Sequence, residues 1–250
     1  MRLDKNGLYC QGTITGIRGP LSPNGLITVV DPCPYGRLGL QSLLTPPTTA
    51  WGAVPVDAYE RVERALAAMK ENRGNPRGAP GPKRCLIVRL PRYPAQALQQ
   101  LLQLDDEALA LAGVERLIVL SPFEVNNVVC QALICCGIHL PLRIISVRSP
   151  LALLQRIVWS EGTLLQAGKD EGLPQMPALL LSPCERRVMS NTLLEIPIPQ
   201  QAWQQRRKSK TLYAQRHSAL LKFRASGLAA LLRQLRPICR DKCTQIEEKG

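Results

Sequence analysis

LSPCERRVMSNTLLEIPIPQQAWQQRRKSKTLYAQRHSALLKFRASGLAALLRQL, residues 181 to 235, is the stretch around which the chain is organised. From Trp203 to Arg236 there are nine Lys/Arg and no Asp or Glu. A block so charged repels itself unless an anion is its partner. Its apolar residues nevertheless recur at helical intervals, Val188, Leu193 and Leu194 in one run and Leu212, Leu220, Leu221 and Phe223 in another. That spacing predicts a folded basic module rather than a loose basic tail.

Ser182, Pro183 and Glu185 read as a capping box with proline at a position where its missing N–H costs nothing, which predicts a helix from about Pro183 to Leu194. Ile196-Pro-Ile-Pro199 forces a turn, and Pro199 opens a second helix through Ala202 and Trp203. Ser209 is placed to cap a third, Lys210 to Phe223, whose early turns present Lys210, Thr211, Tyr213, Ala214, Gln215 and Arg216 while Leu212, Leu220 and Leu221 face inward. A recognition helix needs this division: an apolar side held by the preceding helix, and cations, amides and hydroxyls toward phosphates and base edges.

Leu181-Ser-Pro-x-Glu185, Val188, Ala202, Ser209-Lys-Thr-Leu212, Gln215, Ser218-Ala219, Lys222-Phe223 and Leu231-Leu232 resemble the four-helix, helix-turn-helix DNA-binding domain of LuxR/FixJ-type transcription regulators. The resemblance covers the stretch without a gap. It implies double-stranded promoter DNA as partner and places Lys210, Thr211, Gln215 and Arg216 near it. With the flanking residues, the candidate DNA-binding set is Arg206, Arg207, Lys208, Ser209, Lys210, Thr211, Tyr213, Ala214, Gln215, Arg216 and Lys222. The family's usual glycine after the first helix falls at Glu195, and the second helix carries Trp203 and proline where small aliphatics are common.

At 250 residues the chain has room for two modest domains. Its net charge of +13 is lopsided, since residues 181 to 240 hold twelve Lys/Arg against two acids. Polyanion binding is thus a property of the C-terminal part. Nine scattered cysteines form neither a secreted disulfide framework nor a zinc ribbon, and the one close pair outside apolar stretches, Cys239 and Cys243, has no second half nearby. With only His139 and His217 in the chain, no metal site, cofactor or nucleophile-base grouping is predicted, and no enzyme. No apolar run approaches the roughly 20 residues of a membrane span and the first residues are not a signal peptide, so the expectation is a cytoplasmic protein with reduced thiols.

Residues 1 to 25 read as a mobile leader, rich in Gly and Pro. Strand and helix patterns then alternate. Strands are predicted at Leu26–Val30, Ala53–Val56, Arg84–Leu90, Arg116–Ser121 and Leu142–Val147. Helices are predicted at Leu38–Leu44, Asp57–Lys70, Ala95–Leu104, Val125–Cys136 and Leu151–Trp159. Five such repeats imply an α/β, doubly wound, mostly parallel sheet, because parallel neighbours need crossovers and both faces need covering. The acids Asp105, Asp106 and Glu107 read as an exposed helix start. The Gly-rich stretch 74 to 81 lacks the lysine of a phosphate-binding loop. The domain plan is a leader at 1–25, an α/β domain at 26–161, a linker at 162–178, an all-α domain at 179–238 and a tail at 239–250.

That order, (βα)5 followed by a LuxR-type module, resembles a response regulator with a flavodoxin-like receiver. The residues concerned are Val29-Val-Asp-Pro-Cys-Pro34, Leu38-Gly-Leu40, Leu86-Ile-Val-Arg-Leu90 with Pro94, Ile118-Val-Leu-Ser121 and Ser149-Pro150. Working receivers combine a nucleophilic aspartate ending the third strand, acids that hold Mg²⁺, a Ser/Thr ending the fourth strand and a Lys ending the fifth. Here the nucleophile position falls at Arg89 and the lysine position at Ser146. Asp31 remains beside Pro32, and Ser121 fits the hydroxyl. A guanidinium cannot attack phosphorus, so the resemblance implies a degenerate receiver, similar to the auxiliary regulators of RcsA and BglJ type. Asp31 is then either a solvated strand-end acid or, as favoured, the ion-pair partner of Arg89.

The expectation is a phosphorylation-independent DNA-binding transcription regulator, acting as a homodimer or as a heterodimer with an intact response regulator. The alternatives are a phosphoryl-accepting regulator that uses Asp31 and a protein–protein adaptor with a basic domain. The segments Val125–Cys136, Leu151–Trp159 and Ala225–Leu235 are the candidate dimer surfaces, the last through Leu228, Leu231, Leu232 and Leu235.

Overall fold

A computed structural model describes residues 26–45, 56–71, 84–159 and 180–238. The leader, the glycine-rich stretch 74–81, the linker at 162–178 and the Cys239/Cys243 pair lie outside the described residues. The first part alternates β1 (Leu26–Val30), α1 (Pro34–Leu44), β2 (Val56–Tyr59), α2 (Val62–Glu71), β3 (Arg84–Arg89), α3 (Pro94–Leu102), α4 (Asp106–Leu111), β4 (Val114–Ser121), α5 (Asn127–Cys135), β5 (Leu142–Ser146) and α6 (Leu151–Trp159). All strand pairs are parallel, in the order β2-β1-β3-β4-β5. This is the flavodoxin-like doubly wound arrangement.

Each central strand is apolar on both faces because helices cover both. Val30, Leu86, Val88, Leu117, Val119 and Ile144 point to the side of α2, α3 and α5. Their neighbours Ile27, Val29, Cys85, Ile87, Ile118 and Ile145 point to the side of α1 and α6. The alternation is the two-residue period of a strand, so each strand serves two cores at once.

Three elements depart from the sequence expectation. The second strand is described at Val56–Tyr59, while residues 53–55 of the expected strand lie outside the described residues, and the following helix starts at Val62 and not at Asp57. Val56 to Tyr59 sit on an edge strand and are only partly buried, which leaves a weak hydrophobic signal there. The first helix begins four residues earlier than predicted, at Pro34, since proline suits a first helical position. The acids at 105–107 do start a helix: Asp105 caps α4, its carboxylate accepting from the Ala108 N–H.

The C-terminal part is a four-helix domain of α7 (Pro183–Leu193), α8 (Ile198–Gln204), α9 (Ser209–Lys222) and α10 (Leu228–Gln234). Ser182 and Glu185 form the complete capping box of α7. Val188, Ile198, Ala202 and Leu212 make a small core of the domain's own. The remaining apolar side chains, among them Met189, Leu193, Leu220, Phe223, Leu231 and Leu235, join the core that lies under α3 and α5. One hydrophobic core therefore runs from the sheet into the helical domain. The final helix turns its apolar stripe inward: Leu231 and Leu235 are buried and Leu228 and Leu232 are partly buried against the same core, so this one of the three expected dimer surfaces is largely taken up inside the chain. Among the described residues, no helix is long and apolar enough to cross a membrane.

Three of these helices end alike. Glu195, Arg206 and Arg224 have φ of 61°, 50° and 56°, in the left-handed region. The Ile196, Arg207 and Ala225 N–H groups return to Asn191, Ala202 and Leu220 carbonyls, closing three Schellman turns. Glycine is the residue such turns favour, and a Cβ there costs about 1–2 kcal/mol. Glu195→Gly is expected to raise stability by about 1 kcal/mol, read as a rise of roughly 2–4 °C in melting temperature. A fall in the melting temperature would contradict it.

Candidate nucleic-acid interface and the strand-end cluster

The helix-turn-helix is held from inside. Gln201, fully buried in α8, donates its amide to the Ile196 carbonyl at 2.8 Å and ties the helix to the turn before it. Leu212 buries against Val188 and Ala202, which fixes the rotation of α9. The face left outward carries Lys210, Thr211, Tyr213, Ala214, His217 and Leu221, at the three- and four-residue spacing of one helical stripe. Gln215 and Arg216 flank it and are half-buried, and the Arg216 guanidinium lies 5.2 Å from the centroid of the Tyr213 ring. Arg206, Arg207 and Lys208 are exposed on the turn leading into α9. Among the described residues none of these cations forms an ion pair with an acid.

Four sequence expectations change here. Ser209 is the first residue of α9 and not its cap; Lys208 occupies the cap position and supplies no side-chain bond. With no acid in the first turn either, the start of α9 has no side-chain cap and favours an outside anion. Leu221 is exposed, because its neighbours Leu220 and Phe223 take the inward positions. His217 was not anticipated and belongs to the outward stripe; counting seven residues on from Lys210 would have found it. Lys222 is removed from the DNA-binding candidates, since its ammonium lies inward, 2.6 Å from Glu185 and 2.8 Å from the Leu180 carbonyl. Trp203 is 82% exposed on α8.

The second candidate site lies where β1, β3, β4 and β5 end side by side, bringing together Asp31, Arg89, Ser121 and Ser146. Asp31 is 2% exposed and both its oxygens are used: Oδ1 accepts the Cys33 N–H at 2.8 Å, and Oδ2 accepts from Arg89 Nη1 at 2.9 Å. The favoured ion pair is therefore present. Arg37 reaches the Asp31 carbonyl from the first turn of α1 at 2.8 Å. That turn passes so close that a Cβ on Gly36 would sit 2.0 Å from Asp31 Oδ2 and 2.5 Å from Arg89 Nη1, so only glycine fits. Ser121 is fully buried, its hydroxyl accepting the Phe123 N–H, and the Ser146 hydroxyl accepts the Arg148 N–H.

Glu185 anchors the helical domain. Burial alone would raise its carboxyl, but hydrogen bonds from Lys222, Ser218 and Ser182 outweigh this and hold it below the usual range. A depressed folded value means the contribution to stability is complete above the unfolded carboxyl's value and is lost as pH falls through the folded one. Glu185→Gln is expected to lose about 2 kcal/mol at pH 7, with the gap to wild type closing below about pH 4. Urea midpoints at the two pH values check this, and a gap that widens in acid would refute it.

No family model matches the sequence, and no curated protein matches it. Among solved structures, the chain is similar to RcsB from Salmonella enterica serovar Typhimurium bound to promoter rprA with phosphomimetic BeF3⁻, at 18% identity over 84% of this chain and 96% of that one, with a TM-score of 0.47. A response regulator RcsB–DNA complex matches at 18% identity over 84% and 97%, TM-score 0.45. Full-length FixJ from B. japonicum matches at 17% over 84% and 95%, TM-score 0.37. None of these likenesses supplies a role for a residue of this chain.

Proposed function

We propose that this protein is a cytoplasmic transcription regulator that binds double-stranded promoter DNA through the turn before α9 and the outward stripe of that helix. The observation that carries the reading is the row of exposed, acid-free cations Arg206, Arg207, Lys208 and Lys210 beside an uncapped helix N-terminus. Such a surface meets phosphates, while Lys210, Thr211, Tyr213, Ala214 and His217 stand where base edges lie when a helix enters the major groove. The domains that divide the work are residues 26–161 and 179–238.

Mobility shifts on genomic promoter fragments against competitor DNA test the reading, and absence of any binding at low salt would sink it. Each phosphate contact contributes about −0.9 to the slope of log affinity against log salt, so Arg207→Ala is expected to flatten that slope by about one such step and leave base preference unchanged. Substitution of Tyr213 is expected to do the reverse, changing base preference by about 1–3 kcal/mol.

The regulator is proposed to act without aspartyl phosphorylation. Asp31 supports this, because its two oxygens are occupied and a guanidinium stands where a nucleophile and a divalent cation would be needed. Incubation with acetyl phosphate and Mg²⁺ is expected to leave the intact mass unchanged; a gain of one phosphoryl group would overturn this half of the proposal and favour the Asp31 alternative. Assembly as a homodimer or with an intact response regulator remains the expected mode, since one module of this size buries little on DNA. Of the expected dimer surfaces, the outer face of α6 at Leu151 and the start of the Val125–Cys136 segment at Val125 are left exposed.

A further inference from the structure

The two domains are joined by more than a linker. The Leu181 N–H donates to the Cys135 carbonyl at 2.8 Å, where the chain enters α7. Arg186 on α7 pairs with Asp105 at 3.1 Å and donates to the Cys136 carbonyl at 3.3 Å. At the other end of the domain, the Ile238 N–H donates to Pro122 O and the Glu124 N–H to Arg236 O, around an antiparallel bridge between Phe123 and Pro237. The apolar core runs between these two seams.

The recognition helix is part of this junction. The last carbonyls of a helix lack intrahelical partners. At α9 the Lys222 carbonyl is met by Gln131 Nε2 at 3.0 Å and by the Cys135 thiol at 3.6 Å, both from α5. Burial pushes the Cys135 thiol up, so it keeps the proton it donates. The same residue's ammonium holds Glu185 and the Leu180 carbonyl. Two domains linked through a small polar surface move independently, whereas an apolar interface sealed with hydrogen bonds at both edges holds them together. The outward stripe of α9 is clear of the junction.

We propose that Gln131 and Arg186 are positioning residues for DNA binding, and that the α/β domain is a fixed mount that holds α9 by its C-terminal end in the competent orientation. This rests on the DNA-binding reading. If only a fraction of molecules is docked, the apparent affinity falls by that fraction. Loosening the mount therefore weakens binding without removing a single phosphate contact.

The test uses the full chain with Gln131→Leu, Arg186→Ala and Arg186→Lys. Hydrogen exchange at the Leu181 and Ile238 amides reads docking, thermal melting reads folding, and duplex titrations well below the melting temperature read affinity. Gln131→Leu and Arg186→Ala are expected to speed exchange at both amides and to weaken DNA binding about tenfold, or about 1.4 kcal/mol, with the salt slope unchanged. Arg186→Lys, which keeps a charge opposite Asp105, is expected to recover part of both. Rapid exchange with unchanged affinity would reduce these residues to a structural role and overturn the proposal, and rapid exchange with tighter binding would make the junction inhibitory. Wild-type amides that exchange freely would refute the mount itself. A wild type that is protected yet binds no DNA would instead refute the functional reading beneath it.

Discussion

The carboxylate of Glu185 is the point on which the helical domain turns. It accepts from the Ser182 N–H that opens α7, from the Ser218 hydroxyl in the middle of α9 and from the Lys222 ammonium at the end of α9. A charge buried to this depth is tolerated only when its lone pairs are filled, and here they are filled from both helices. Val188 and Leu212 come into register between the same two helices, which sets the rotation of α9 and hence its outward side. The basic surface is thus a consequence of an acidic core residue.

A second ion pair does comparable work at the strand ends. Asp31 directly follows β1 and Arg89 ends the neighbouring parallel strand β3, so their side chains meet once Val30 and Val88 pair in register. Removing either partner would leave a costly group at the end of the sheet, Asp31 above all, since it is nearly inaccessible to water. Gly36 closes the arrangement from above. The pair occupies the place at which a doubly wound sheet ordinarily binds its ligand, and fills it with the chain's own charges.

These two pairs give the molecule different kinds of end. At the strand ends opposite charges cancel and the backbone packs down on them. On the outward stripe of α9 and the turn before it, cations are left without acids and the helix without a side-chain cap. A surface that keeps its charges unpaired pays in self-repulsion, which an anionic partner relieves. The apolar stripe of α10, by contrast, faces α3 and the shared core, with Leu231 and Leu235 buried there, so the helical domain needs the sheet to complete its core.

Much of this was legible in the sequence because it depends on local rules. The capping box at Ser182 and Glu185, the helix over Leu151–Trp159 and the apolar strands β1 and β3 follow from spacing and turn chemistry that act over a few residues. The acid-free block from Trp203 to Arg236 likewise needs no structure to be seen. The run of β2 through Asp57 to Tyr59 was not legible, because an edge strand only partly buried on each face gives a weak pattern. The inward turn of Lys222 and the outward position of Leu221 were decided by the tertiary structure, since a lysine's destination depends on whether a buried carboxylate lies within reach. The ion pair of Asp31 with Arg89 stands between the two cases: strand order made it foreseeable, but only the close passage of Gly36 seals it. The burial of α10 against α3 was beyond the sequence altogether, because an amphipathic stripe states that a helix has a partner and says nothing of which one.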